Sequence, residues 1–353
     1  MKSLIASLLG CTLIMVSAAS AQVLRLEQPV SGAGVLALGG DGIEPCNLPL
    51  PGALEGAGRD LLLRLDTAPR TDCIAGDMRD ALRIDINDLV DGGIDGDGLH
   101  RVFLVDAAHP ERSLGMSFID LGEGVAWTPE SGQWWPERNV DDDAIGPGTG
   151  LFVEIQNGAL SLFFATYDDN GHADWLMAAG RLDGRIFRGD LLRFSGGQPP
   201  FGAYRAPGAA TRVAAIELAF HSPSRAELWL MDGQDDGVRM QVLPLTRFLF
   251  GHSADARAWL GEWSVEDGAT GLPDRLRFDR AFSALDGYLL VDASGRYELA
   301  CRDDAQVQDT LPQRCTLYLL ESGLPVAELD NNALNALGGQ DSGGNAVRLL
   351  RRH

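Results

Sequence analysis

Trp127, Trp134 and Trp135 fall within nine residues of one another, with Pro129 and Pro136 beside them. Proline cannot donate to a strand ladder, so this run is expected off any central strand, with at least one indole turned to a surface or cavity. An exposed indole stacks on sugar rings or apolar ligands and keeps an N–H for a hydrogen bond. Trp134, Trp135, Tyr167, Asp168 and Trp175 are therefore the ligand-binding candidates. The competing expectation is that the Trp pair plugs one end of a barrel. Carboxylates offer a second chemistry. The run Asp91-Gly92-Gly93-Ile94-Asp95-Gly96-Asp97-Gly98 sets Asp91, Asp95 and Asp97 on a glycine-rich turn, the oxygen ligands that Ca²⁺ takes. It lacks the EF-hand Gly and Glu spacing, so a solvated acidic turn is the alternative there and at Asp141-Asp142-Asp143. The six His are scattered without ligand spacing, so no transition metal, and no cofactor besides that Ca²⁺, is expected. Two carboxylates would also suffice for a glycosidase. Among 50 acids some pair always fits, so a secreted hydrolase acting on glycans is only the alternative function.

A nucleophile is harder to find. Val105-Asp106-Ala107-Ala108-His109 and Asp341-Ser342-Gly343-Gly344 resemble the His and Ser motifs of chymotrypsin-like proteases, with His109 as base and Ser342 as nucleophile. Only eleven residues follow Ser342, too few to build that family's specificity pocket. Gln340 and Asn345 also stand where the motif has Gly and Pro. Lys2 is the only lysine, which removes Schiff-base and lysine-base chemistry. The balance of 29 basic against 50 acidic residues, a net charge of −21, repels nucleic-acid phosphates and anionic lipid head groups.

Lys2, the apolar run Leu4–Val16 and Ala19-Ser20-Ala21 read as a secretory signal cleaved after Ala21. Leu8-Leu9-Gly10-Cys11 loosely resembles a lipoprotein box, but the apolar run continues past Cys11. The chain is thus expected to be exported, to a periplasm or beyond, with no membrane span; its partner is left open, with a glycan or an envelope component as the candidates. Four cysteines remain after the signal, Cys46, Cys73, Cys301 and Cys315, an even number that favours two disulfides. Three pairings are open; the local one joins Cys46 to Cys73 and Cys301 to Cys315.

The elements that must position these residues are strands. The 60 Gly and Pro break long helices, and only Ser253–Leu260 and Asn332–Leu337 have a helical look. Asn157-Gly158 between apolar runs predicts a type I′ hairpin that pairs Ile155 with Leu160, Val153 with Leu162 and Leu151 with Phe164 on one buried face. A four-residue loop at Asp168-Asp169-Asn170-Gly171 then sets Phe164 opposite Trp175 and Leu162 opposite Met177. Further strands follow at Arg185–Phe194, Ala214–Phe220, Ala226–Leu230 and Val238–Leu243, an antiparallel meander of seven that suggests a barrel or a strongly curved sheet.

Ser131-Gly132-Gln133-Trp134-Trp135-Pro136, Gly148-Thr149-Gly150 and Thr166-Tyr167-Asp168-Asp169-Asn170-Gly171-His172-Ala173-Asp174-Trp175 resemble a group of exported, uncharacterised proteobacterial β-rich proteins. Their pattern is G-x-W-[WY]-x-P, G-x-G, then T-Y-D-x-x-G-x-P-x-W. The likeness covers about residues 131–250, implies an exported β-rich domain and carries no chemistry. This chain departs by an insertion from Asn139 to Pro147 and by Ala173 in place of Pro.

The expected organisation is a signal over 1–21, a smaller β-rich module over 22–112, the meander over 113–250 and a β-rich region over 251–353, which either stands alone or completes the meander. The expected function is a non-catalytic binding or interaction module.

Overall fold

The computed structural model describes residues 23–27, 35–40, 43, 45–68, 83–85, 98–122, 127–137, 149–248, 256–267, 271–284, 287–302, 312 and 314–352. They contain no α-helix and form three sheets, two of them closed barrels. No described helix is long and apolar enough to cross a membrane.

The first sheet has seven strands: β1 (Leu24–Glu27), β2 (Val35–Gly40), β3 (Leu50–Ala57), β4 (Asp60–Asp66), β5 (Arg83–Asp85), β6 (Leu99–Asp106) and β7 (Ser113–Asp120). Their order is β3-β4-β6-β7-β1-β2-β5, with β4–β6 and β1–β7 parallel. Ser113–Asp120 therefore belongs to this sheet and not to the meander expected from residue 113, because it folds back on β6. One face buries a leucine-rich core that includes Leu26, Leu63, Leu65 and Leu104. Met116 and Phe118 on the other face pack against Ala215, Ala219, Trp229 and Met231 of the first barrel.

That barrel has eight strands, one more than the sequence suggested: β8 (Gly132–Pro136), β9 (Gly150–Gln156), β10 (Ala159–Tyr167), β11 (Ala173–Asp183), β12 (Ile186–Arg193), β13 (Thr211–Ser222), β14 (Arg225–Gln234) and β15 (Gly237–Arg247). β8, the strand the prolines argued against, closes the ring between β9 and β15. Pro136 is tolerated because it lies past the last β9 pair, Trp134 with Leu151, and faces only Leu245. The Asn157-Gly158 turn forms as expected, with φ of 51° and 75°, and Ile155–Leu160, Val153–Leu162 and Leu151–Phe164 pair inward. Gly180 and Gly189 leave room inside for the Phe187 ring, 3.4 and 3.0 Å from where a Cβ would stand at each.

The next turn differs from expectation. The Asp168 carboxylate accepts from Asn170 N and His172 N, and Asp168 N donates to His172 O, so five residues make the loop. The register moves by one: Phe164 faces Leu176, Leu162 faces Ala178, and Trp175 faces Ala165 on the outside.

Beyond residue 251 the chain closes a second eight-stranded barrel of its own: β16 (Gly261–Asp267), β17 (Arg275–Ala284), β18 (Gly287–Asp292), β19 (Tyr297–Arg302), β20 (Arg314–Leu319), β21 (Leu324–Ala333), β22 (Ala336–Asp341) and β23 (Ala346–Arg351). Ser253–Leu260 yields one short 3-10 turn at Ala256–Trp259 among its described residues. Asn332–Leu337 is no helix but the reversal from β21 to β22, held by the Asn332 amide on Pro312 O and Leu329 O. Cys301 and Cys315 face each other across β19 and β20 and form a disulfide inside this barrel. Cys46 is disulfide-bonded as well, and Cys73 lies outside the described residues.

The two barrels open with the same device. Gly132-Gln133-Trp134 starts β8 and Gly261-Glu262-Trp263 starts β16. Each Trp is buried and donates Nε1–H four residues back, to Glu130 O at 3.0 Å and Trp259 O at 3.2 Å. Each last strand ends on an arginine that returns to the opening segment: Arg247 Nη1 donates to Gln133 O, and Arg351 Nη2 donates to Ala258 O and Leu260 O. Gly132 is needed twice over, because φ is +127° and a Cβ there would stand 2.2 Å from Arg247 Nη2. The two barrels thus share one opening segment, Gly-x-Trp, and one closing residue, an arginine at the end of the last strand.

Candidate functional site

A barrel strand that buries one face leaves the alternate residues outside, so the inward set of the first barrel fixes its outer wall. On β12 to β15 that wall carries an apolar patch beside the buried Glu217 and Arg188, and it lies under the first sheet. On β8 to β11 it is aromatic and, among the described residues, uncovered. Phe152 pairs with Phe163, and Gly150 with Ala165, which pairs with Trp175. The Trp135 ring lies over Gly150, 3.3 Å from where a Cβ would stand, and packs on Phe248 with centroids 5.3 Å apart. Trp175 stacks on Phe194 at 5.8 Å and 12° and meets Phe163 at 5.9 Å. Phe152, Phe163, Tyr167 and Trp175 are each left 44–49 % exposed. Trp135 and Trp175 lie three strand spacings apart, about 14 Å of arc along the curved wall. The matching strand of the second barrel, β19, turns Glu298, Ala300 and Arg302 outward instead.

The indoles divide in the same way. Buried Trp134, Trp229 and Trp263 donate Nε1–H to Glu130 O, the Glu227 carboxylate and Trp259 O. Trp135 and Trp175 have no acceptor for theirs among the described residues. Beside Phe194 the chain leaves β12 for an arm from Ser195 to Ala210, closed at its base by the Gly196–Pro207 bridge and by Gly208 N donating to Ser195 O. Phe201 and Tyr204 stand almost wholly in solvent on this arm, and no acid occurs between Asp190 and Glu217.

Of the five ligand-binding candidates, the structure gathers Trp135, Tyr167, Asp168 and Trp175 on or beside this wall. Trp134 is removed from the set: it fills the barrel interior, edge-on to Phe220 at 5.4 Å. Trp127 is half-buried against the same core. Phe152, Phe163 and Phe194 were not anticipated. The signal for the first two was available, since they alternate with the inward residues that the Asn157-Gly158 hairpin sets.

Asp168 serves its loop. The N–H of His172 leads, and together with the His172 ring and Asn170 it holds its carboxyl below the usual range against the opposing effect of desolvation, so it is a poor general acid. Asp341 is held down in the same way by Asn345, which makes Asp341-Ser342-Gly343-Gly344 the β22–β23 turn and not a nucleophile motif. His109 sits apart in the β6–β7 turn beside Glu111 at 3.6 Å. Burial pushes the carboxyls of Glu130 and Glu217 up, but both are committed to joints: Glu130 accepts from Leu334 N of the second barrel, Glu217 from Phe118 N of the first sheet. Asp91, Asp95, Asp97 and Asp141-Asp142-Asp143 lie outside the described residues, among which no metal-ligand cluster occurs. A scan against protein-family models, a search of curated proteins and a search of solved structures each return no match to this chain.

Proposed function

We propose that this chain is a non-catalytic binding module that holds an extended carbohydrate against the aromatic outer wall of its first barrel. The observation that carries the reading is the Phe163–Trp175–Phe194 stack, half exposed on a wall whose other side is covered by the first sheet. Leaving such rings in water forgoes about 25 cal/mol for each Å² of apolar surface. A sugar's apolar face recovers that surface, and its hydroxyls accept from the two indole N–H groups that lack an acceptor. The row from Trp135 to Trp175 is longer than a single ring, which suits a polymer. The export signal read at residues 1–21 would bring the module to the glycans of an envelope or extracellular matrix. The hydrolase alternative gains nothing, because the carboxyls that burial raises face the joints and not this wall.

A panel of soluble glycans and peptidoglycan fragments, followed by thermal shift and tryptophan fluorescence, tests the reading. A binder should quench fluorescence, and Trp175→Ala should weaken it at least tenfold while Tm stays near wild type. Absence of any binder from the panel, or binding unchanged in both Trp175→Ala and Phe163→Ala, would sink it.

A further inference from the structure

The next feature lies in the first sheet, apart from the aromatic wall. A cavity of about 380 Å³ opens between the 3-10 turn Pro45–Asn47 and the ends of β1 and β7. Leu24, Leu48 and Leu114 form its apolar wall, and Asn47, Thr67 and Arg112 bring polar atoms to it. That volume and mixture fit a small molecule with an apolar body and one polar end.

The polar end is set by Arg112. Its Nε is buried without a hydrogen-bond acceptor, and its Nη1 stands 3.5 Å from Asp106 Oδ2, beyond good hydrogen-bond distance. Asp106 also accepts from Thr67 Oγ1 at 3.0 Å and Ala108 N at 2.9 Å. The guanidinium therefore lines the cavity in a loose ion pair with Asp106 and with N–H donors to spare. A guanidinium fork matches a second carboxylate bidentately. We infer that this cavity binds a small aliphatic carboxylate, its charge on Arg112 and its chain against Leu24, Leu48 and Leu114.

The test compares hexanoate with hexanol on the full chain by calorimetry and thermal shift. Hexanoate should bind saturably and raise Tm, hexanol should bind at least tenfold more weakly, and Arg112→Met should abolish the difference. Should Arg112→Met fail to fold, Leu48→Trp fills the cavity with Arg112 intact and should block hexanoate. Equal binding of the two probes, no binding of hexanoate, or binding retained in a folded Arg112→Met or Leu48→Trp chain would each overturn the inference. Trp175→Ala should leave hexanoate binding unchanged; loss there would place the probe on the aromatic wall and overturn it as well.

Discussion

Ser117 Oγ donates to Glu217 Oε1 at 2.9 Å across the seam between the first sheet and the first barrel, and the same hydroxyl accepts from Leu26 N at 2.7 Å. Phe118 N reaches the other carboxylate oxygen at 2.8 Å, and Arg188 Nε lies 3.3 Å from Oε1. One buried acid thus ties β1, β7 and β12 to β13. Burial is the largest influence and raises its pKa, against Arg188 and the two donors. The native carboxyl then keeps its proton to higher pH than an unfolded Glu at about 4.3. Its contribution to stability is whole below that value and declines as pH rises through the native one. Glu217→Gln cannot ionise. Urea unfolding should find the gap between wild type and Glu217→Gln narrowing as pH rises above about 4.5. A gap that widens would mean that the donors outweigh burial.

Phe164 and Trp175 are one register step apart in consequence. Phe164 points into the barrel and Trp175 out of it, so Phe164→Ala should cost about 3–5 kcal/mol through the cavity it leaves. Trp175→Ala should cost under about 1 kcal/mol, because it opens no cavity. Chemical denaturation of both variants checks this; similar large losses would restore an inward Trp175.

That step is where the sequence stopped being readable. The Asn157-Gly158 hairpin was legible because a type I′ turn leaves one register and one inward face. At Asp168 the loop length hangs on a side chain: its carboxylate captures the N–H groups of residues 170 and 172, and no periodicity signals that. The aromatic wall was legible in its members Trp135, Tyr167 and Trp175, but not in its geometry. Pro136 hid the central place of β8, because a proline at a strand end, past its last pair on one side, reads like a proline that ends pairing altogether. The shared barrel opening had a signal, Gly-x-Trp at 132 and 261, that two short strands of ordinary composition did not raise above the background.

The Cys301–Cys315 bridge spans 14 residues within the second barrel alone. On the loop-entropy model a bridge of that span is worth about 3 kcal/mol. The double variant Cys301→Ala with Cys315→Ala should lose roughly that amount, less if the alanines pack well. The loss should stay local. Hydrogen exchange should rise on β16–β23, while β9–β11 remain at wild-type level. Faster exchange on β9–β11 would mean that the barrels unfold as one unit.

Asp292 gives the opposite pH slope from Glu217. It closes the β18–β19 turn by accepting from Ser294 N at 3.0 Å, Arg296 N at 2.9 Å and Tyr297 N at 2.7 Å, with Ser294 Oγ at 2.5 Å. Burial alone would raise its pKa, but the bonds from Ser294, Tyr297 and Arg296 together outweigh it and hold the carboxyl below the usual range. A lowered native pKa contributes stability that is complete above the unfolded value of about 3.9 and is lost as pH falls through the native one. Asp292→Asn keeps the shape but not the charge, and hydrogen bonds to a charged acceptor are worth about 1.5–3 kcal/mol. The variant should therefore be less stable by an amount of that order at neutral pH, and the gap should close as pH falls below about 4. Thermal unfolding across that range decides it: a gap that stays constant into acid would show that the carboxylate's charge does not hold this turn.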